Sequence, residues 1–334
     1  MAARCVQRES PPVKSVTWPS YAPRRFKPPG RAKRPGGGNP AIDELPEWLL
    51  YRRHFGSIES SGVSPVLWEI VSGEQLSAQL DATMPEVEYL ELMLDRLPEA
   101  FDGLRILHLS DLHITQWTAA LQHWSDQIAP LNPDLAVITG DLGHQSWKWK
   151  KTLPNVQRLI SVIHAPLGTY FILGNHDSLE LGPALAVGGA VMLANESVII
   201  ERSGQRLALI GVAQHRRSDT DIPAAMRNVQ STDFKLMLLH YPDLIHSAAA
   251  AGVDVCLAGH THGGQICYPD GSPIIGHDVL PANMCTGLNR IADTWLIVNR
   301  GIGKAGLRLR LFCPPQVMML TLRTRREDSS EFIV

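Results

Sequence analysis

Residues 105–113 read RILHLSDLH. Three of the first six are apolar and branched, on both faces of an extended chain, which indicates a strand buried on both faces. This strand runs directly into Asp111 and His113. A carboxylate and an imidazole two residues apart at a strand end face one point. Because open α/β sheets place their ligand sites in the loops beyond the carboxyl ends of the strands, this stretch predicts an α/β sheet with a metal site at its edge.

Four further apolar blocks end in similar polar residues. They lead into Gly140-Asp141, Gly174-Asn175-His176-Asp177, His240, and Gly259-His260-Thr261-His262-Gly263-Gly264. A lone histidine after a strand is more often a packed core residue than a ligand. Five such ends in one chain make packing a poor explanation for all of them. The candidate metal ligands are Asp111, His113, Asp141, Asn175, His240, His260 and His262.

The rest of the pattern predicts the layers around these strands. Further strand blocks are residues 134–139, 169–173, 235–239, 253–258, 295–299 and 316–323, and amphipathic stretches for crossover helices are 119–129, 155–164 and 244–250. Residues 191–200 and 206–212 flank Ser203-Gly204, which predicts a hairpin. Residues 84–97 fit a helix or a strand. The alternation of strands and helices implies an α/β sandwich in one domain.

The first forty residues have a different composition from the rest of the chain. They hold nine Lys/Arg, one acidic residue and eight prolines, so their formal charge is +8, while the remainder, with 22 basic and 32 acidic residues, carries −10. Such a composition predicts a disordered basic arm, which could be a solvated extension, a transit peptide or a contact for anionic lipid or nucleic acid. We therefore divide the chain into an arm (1–40), an extension packing on the core (41–83), the main domain (84–324) and a tail (325–334).

Bulk properties also bear on the compartment. No run of about 18 apolar residues, the length of a membrane-spanning helix, occurs in the sequence. The five cysteines are odd in number and widely spread, without the spacing of a disulfide framework. These features predict a cytoplasmic protein, with peripheral contact to an anionic membrane through the arm as an option. No specific nucleic acid partner is indicated.

The strand-end motifs, taken in order, resemble those of the calcineurin-like metallophosphoesterases, over about residues 100–322. Residues 259–265, Asn195-Glu196 and Arg300-Gly301-Ile302-Gly303 are similar to the bacterial YaeI/YkuE-like phosphodiesterase branch. The resemblance implies a four-layer α/β/β/α sandwich with a dinuclear site at the strand ends. It also favours a strand for residues 86–94, because such a strand precedes the first motif in that branch.

The same resemblance implies a role for each site residue. Asp111, His113 and His262 would bind one ion, Asn175, His240 and His260 the other, and Asp141 would bridge both. A metal-bridging hydroxide would attack phosphorus, His176 would protonate the leaving group as general acid, and Asp177 would orient His176. The oxygen and nitrogen ligands suit two divalent ions of Mn, Fe or Zn.

Substrate preference is expected from the loops around this site. Residues 143–151 alternate aromatic and basic side chains, so they either contact a phosphorylated substrate or pack with one face in solvent. Our candidates for substrate binding are Trp147, Lys148, Arg216 and Arg308. The resemblance favours a phosphodiester or a pyrophosphate, with a UDP-diacylglucosamine-type pyrophosphate as one candidate.

Two other functional classes compete with a phosphoesterase. The first is a non-catalytic scaffold that has kept the fold for protein binding, although such proteins usually lose ligands and none is missing here. The second is a β-lactamase-type metallohydrolase, which also uses His-x-His. That site requires His-x-His-x-Asp-His, and Gly264 and Gln265 stand where its Asp and His should be.

Overall fold

The protein is described by a computed structural model. It describes residues 86–186, 188–268, 270–274, 280–306 and 310–325. The arm, the extension and all of the tail except Arg325 lie outside the described residues, and so does Arg308. The division of the chain into these segments therefore stays a prediction.

The described residues form twelve strands and five helices. The strands are β1 (Glu86–Leu94), β2 (Leu104–Leu109), β3 (Leu135–Thr139), β4 (Thr169–Ile172), β5 (Val191–Met192), β6 (Glu196–Arg202), β7 (Gln205–Gly211), β8 (Phe234–Leu238), β9 (Val255–Ala258), β10 (Gly287–Ile291), β11 (Thr294–Val298) and β12 (Gln316–Thr324). The helices are α1 (Ala119–Ile128), α2 (Trp149–Ile160), α3 (Leu181–Ala186), α4 (Ile222–Ala225) and α5 (Ile245–Ala250).

The strands form two mixed sheets of six. The first has the order β1-β12-β2-β3-β4-β5, in which β2 to β5 are parallel and β12 runs antiparallel to β2. The second has the order β10-β11-β9-β8-β7-β6, in which β7, β8, β9 and β11 are parallel. The parallel strands of each sheet end at one edge, which is where the predicted ligands follow them.

Strand β2 has apolar residues on both of its faces. Leu104 and Ile106 pack into the core between the two sheets, whereas Leu107 and Leu109 point to the other face and pack under helices α1 and α2. A strand covered on both faces has no side that favours polar residues. A third cluster joins the second sheet to α4 and α5. The four layers α/β/β/α predicted from the sequence are thus confirmed.

Apart from residues 191–200, the predicted strand blocks are all strands, with boundaries shifted by at most two residues. Residues 86–94 form β1, as the resemblance favoured, and β1 pairs in parallel with β12. Residues 191–200 do not form the single strand that the hairpin prediction required. Val191–Met192 pairs with β4 in the first sheet, and the chain turns at Asn195, where φ is 59°, before β6 begins the hairpin with β7 in the second sheet.

Helix α2 begins at Trp149, six residues before the predicted start at 155. Pro154 lies inside this helix, although proline lacks the backbone N–H group of a helix interior. Pro154 is the sixth residue of α2. The one backbone carbonyl to which its missing N–H group would have donated therefore lies in the first turn of the helix, where the proline disturbs it least. Within the described part of the chain, no helix combines the length and the apolar character needed to span a bilayer.

Candidate metal centre

The two sheets meet at the edge where their parallel strands end. His240, which follows β8, donates its Nδ1–H to the carbonyl of Thr139 at the end of β3, over 2.8 Å. The backbone N–H of His260, which follows β9, donates to Asp111 Oδ2 over 2.9 Å. These hydrogen bonds join the loops of one sheet to those of the other and bring four separate strand ends to one place.

Asp111, His113 and His262 form a first group of donor atoms, all within 4.8 Å of one another. The Nε2 atoms of His113 and His262 are 3.0 Å apart, and Asp111 Oδ1 is 3.5 Å from His262 Nε2. All three residues are buried. The three donor atoms are close enough to one another to bind one cation together.

A second group consists of Asp111, Asp141 and His240, with the same mutual separation. Asp141 Oδ1 lies 3.5 Å from His240 Nε2, and its Oδ2 lies 3.6 Å from His113 Nε2 of the first group. The Asp141 carboxylate therefore stands between the two groups, and Asp111 belongs to both. This is an arrangement of His and Asp side chains typical of a dinuclear site.

The two remaining predicted ligands lie beside the second group. Asn175 Oδ1 is 3.0 Å from His240 Nε2. The ring of His260 packs against that of His240, with 5.0 Å between the centroids. All seven predicted ligands are thus brought together, while the assignment of each to one ion stays a prediction.

Cations fit this donor set. Asp111 Oδ1 is buried and has no hydrogen-bond partner, although its partner oxygen accepts from Ser110 Oγ over 2.7 Å as well as from His260. A buried carboxylate oxygen without a donor costs free energy, and a bound cation would remove that cost. The donors are oxygen and imidazole nitrogen without thiolate, which suits Mn, Fe or Zn and does not distinguish among them.

Backbone strain is concentrated in this site. Five of the seven predicted ligands have a positive φ between 45° and 70°: Asp111, His113, Asp141, His260 and His262. Residues other than glycine rarely adopt this left-handed region, and holding one there costs about 1–3 kcal/mol. The sequence gives no sign of it, because neither Asp nor His requires such a backbone.

Two glycines allow the ligand loops to approach each other closely. A Cβ atom on Gly259 would lie 1.8 Å from Ser110 Oγ and 2.4 Å from Asp111 Oδ2, and one on Gly174 would lie 2.3 Å from Asp141 Oδ1. Each glycine therefore contacts a predicted ligand that follows a different strand. A methyl group at either position must displace that ligand.

We expect Gly259→Ala to weaken metal binding by about 10- to 100-fold without removing a ligand, since it displaces Ser110 and Asp111, as loss of an orienting partner does at other metal sites. Titration with Mn(II) measures the effect. Gly204→Ala in the β6–β7 turn is the matched control, because φ there is 74° and no atom lies within 4 Å of the added Cβ. The control should lose about 1 kcal/mol of stability and keep its metal affinity. Equal affinity in both variants would contradict the expectation.

Burial and mutual proximity set the charges of the site before any cation binds. Burial opposes ionisation of Asp141, but the neighbouring His240 outweighs it and holds the pKa of this carboxyl well below its usual range. Burial also disfavours the His240 imidazolium, yet Asp141 and Asp111 together raise its pKa to about 9. Burial raises the pKa of Asp111 to about 6. The metal-free site therefore contains an ion pair between Asp141 and protonated His240 at neutral pH.

Metal affinity is expected to increase with pH by about tenfold per unit up to about pH 9. His240 is protonated below its raised pKa, and a cation must displace that proton to reach Nε2. As the pH rises towards the pKa of His240, this competition fades. Calorimetric titration at pH 7 in buffers of different ionisation enthalpy should detect about one proton released as the ion at His240 binds. Release of no proton would contradict this prediction.

His176 and Asp177 lie beside the centre with different surroundings. The backbone N–H of His176 donates to Asp141 Oδ1 over 2.8 Å, and its half-buried ring lies 5.0 Å from that of His113, centroid to centroid. Both Asp177 oxygens accept backbone N–H groups over 2.9 Å, from Gly143 and Gly174. These two hydrogen bonds join the loops after β3 and β4, and the orienting role that the resemblance implies for Asp177 stays a prediction. Burial raises the pKa of Asp177 to about 7.

The residues predicted to bind substrate that the structure describes are exposed to solvent. Trp147 is 75% exposed and Lys148 is exposed, whereas Trp149 packs against the core beneath α2. The alternating loop therefore contains one exposed tryptophan and one packed tryptophan. Arg216 is exposed in the loop after β7.

One residue that the sequence interpretation did not single out, Tyr241, packs against the second group of ligands. The guanidinium of Arg217 lies over the ring of Tyr241, 4.1 Å from its centroid, and pairs with Asp243. The Tyr241 ring is in turn 4.5 Å from that of His260. Proximity of Tyr241 to His240 in the sequence was the available signal. Arg310 is buried and reaches the first group: its Nη2 lies 3.2 Å from His262 Nδ1, and it also donates to the carbonyls of Arg300, Gly301 and Gly303.

Residues 104–264, which include all five strand-end motifs, match the calcineurin-like phosphoesterase family. The metallophosphoesterase YkuE of Bacillus subtilis is 28% identical over 237 residues, 68% of this chain and 82% of YkuE. The phosphodiesterase YaeI of Escherichia coli is 28% identical over 71% of this chain and 90% of YaeI. The UDP-2,3-diacylglucosamine pyrophosphatase LpxG of Chlamydia muridarum is 26% identical over 67% of this chain and 86% of LpxG.

Proposed function

Since the chain belongs to the calcineurin-like metallophosphoesterases and is a phosphoester hydrolase, we propose that it cleaves a phosphodiester or a pyrophosphate at a dinuclear metal centre. Asp111, His113, His262, Asp141, Asn175, His240 and His260 would hold the two ions. The observation that carries the proposal is the position of Asp141, whose two oxygens face His113 and His240 from opposite groups of donors.

Bound ions in such a centre polarise phosphoryl oxygens and lower the pKa of a coordinated water. The protein residues supply the rest of the chemistry. Asp111 and Asp141 provide negative charge that is buried and that the cations balance. His240 donates its Nδ1–H to Thr139 and so directs its Nε2 lone pair into the site. His176, beside the centre but half-exposed, can transfer a proton to the leaving oxygen.

We also propose a class of substrate, which is more specific than the reaction itself. LpxG, one of the similar proteins, acts on UDP-2,3-diacylglucosamine according to its name, which supports a UDP-diacylglucosamine-type pyrophosphate for this chain. Trp147, exposed in the loop that follows Asp141, offers a ring face for a base, a sugar or an acyl chain. Arg217 above Tyr241 offers a guanidinium for phosphate.

The test combines metal analysis with turnover. Metal-free protein is loaded with Mn(II), Fe(II) or Zn(II), and elemental analysis counts the bound ions while bis-(p-nitrophenyl) phosphate reports hydrolysis. UDP-sugar lipids, cyclic nucleotides and glycerophosphodiesters are then compared by kcat/KM. We expect two ions per chain, metal-dependent hydrolysis and a clear preference within the panel. A protein that binds no metal and cleaves none of these substrates would instead fit the scaffold alternative.

A further inference from the structure

His144 lies in the loop after β3, three residues beyond Asp141, and is half-buried. Its Nδ1 atom is 3.3 Å from Nδ1 of His113, and the two rings meet edge to face with 5.3 Å between their centroids. His144 does not belong to either group of donor atoms that could hold an ion. It contacts His113 on the side of the ring that faces away from the centre.

The position of a proton follows from these contacts. His113 directs Nε2 at the centre, where it lies 3.0 Å from His262 Nε2 and 3.6 Å from Asp141 Oδ2. A neutral imidazole that offers one nitrogen to a metal carries its proton on the other. His113 Nδ1–H is therefore the donor, and Nδ1 of His144 is the acceptor, so His144 carries its own proton on Nε2.

His144 also contacts the residue that we propose as general acid. Its ring is parallel to that of His176, with an interplanar angle of 5° and 5.9 Å between the centroids. The His176 ring meets His113 edge to face, 5.0 Å away. The three imidazoles form a cluster in which His144 touches both a predicted ligand and the predicted acid.

We propose that His144 is a positioning residue with two separable functions. Through Nδ1 it fixes the His113 tautomer that presents Nε2 to a cation, a function that carboxylates and carbonyls perform at other metal sites. Through its ring face it supports the orientation of His176. The proposal rests on the proposed function, because it requires His113 to bind metal and His176 to act on the leaving group.

Two substitutions separate the functions. His144→Asn keeps an acceptor, since Asn Oδ1 is bonded to Cγ as His Nδ1 is, but it removes the ring. His144→Phe keeps a ring and removes the acceptor, and His144→Ala removes both. In Co(II) titrations followed by the visible absorption spectrum, we expect the Kd of one site to rise about 10- to 100-fold in the Phe and Ala variants. The Asn variant should bind as the wild type does.

At saturating metal, kcat for a substrate with an alkoxide leaving group should fall in the Asn and Ala variants and stay near the wild-type value in the Phe variant. His164→Phe is the matched control, because His164 is exposed and precedes the amino end of β4. Thermal unfolding of the metal-free proteins verifies that each variant folds. Wild-type Co(II) affinity in His144→Phe would overturn the tautomer function, and wild-type kcat in His144→Ala would overturn the support of His176. Wild-type protein that binds no metal would instead refute the proposed function itself.

Discussion

Asp141→Asn is expected to lower kcat for bis-(p-nitrophenyl) phosphate by about three orders of magnitude. The carboxylate faces His240 through one oxygen and His113 through the other, and Asn would replace one of these anionic oxygens with an NH₂ group. That group has no lone pair to offer a cation. One of the two proposed ions should therefore be lost, and elemental analysis should detect this loss along with the loss of turnover.

The control for Asp141 is Asp126→Asn, which makes the same chemical change at an exposed position in α1. It should retain both ions and wild-type turnover. Thermal unfolding distinguishes a folded, inactive protein from an unfolded one. An Asp141→Asn protein that holds two ions and keeps its full rate would exclude this carboxylate from the centre.

His176→Ala should reduce kcat by about 10²- to 10⁴-fold while the bound metal stays at the wild-type level. The size of the loss should depend on the leaving group. A p-nitrophenolate departs without a proton, whereas an alkoxide requires one, so the loss should be larger for an alkyl ester. Measurement of kcat across a series of leaving groups tests this dependence, because a purely structural role would lower all rates alike.

His164→Ala is the corresponding control, as that histidine is exposed at the opposite end of β4. It should leave every rate in the series unchanged. Equal losses for aryl and alkyl esters in His176→Ala would reject the general-acid role. Metal loss in the same variant would show that His176 supports the centre through its contact with His113.

The strands and the location of the centre could be predicted because both follow from local patterns. Ile106, Leu107 and Leu109 are apolar because β2 is covered on both faces, and a polar pair at the end of that strand marks the sheet edge. The hydrogen bonds that Asp177 accepts could not be predicted in this way. Its two acceptors bind Gly143 and Gly174, and only the folded chain reveals which backbone donors from the β3 loop face a carboxylate in the β4 loop.

The sequence also failed to predict where α2 begins and that residues 191–200 divide between two sheets, and the two errors have a related cause. Local sequence rules treat proline as a helix boundary, but Pro154 lies near enough to the helix start for Trp149 to pack against the core before it. Residues 191–200 are one apolar run by composition, and the run divides because the chain crosses from one sheet to the other at Asn195. Tertiary packing decides both outcomes.

The left-handed backbone of the five ligands has an evolutionary consequence. A selection for heat resistance alone would favour glycine or asparagine at His113, Asp141 and His262, because these residue types tolerate a positive φ. Such substitutions would relieve strain and remove metal donors in the same step. Variants from that selection would be more stable proteins that have lost donors of the proposed metal centre.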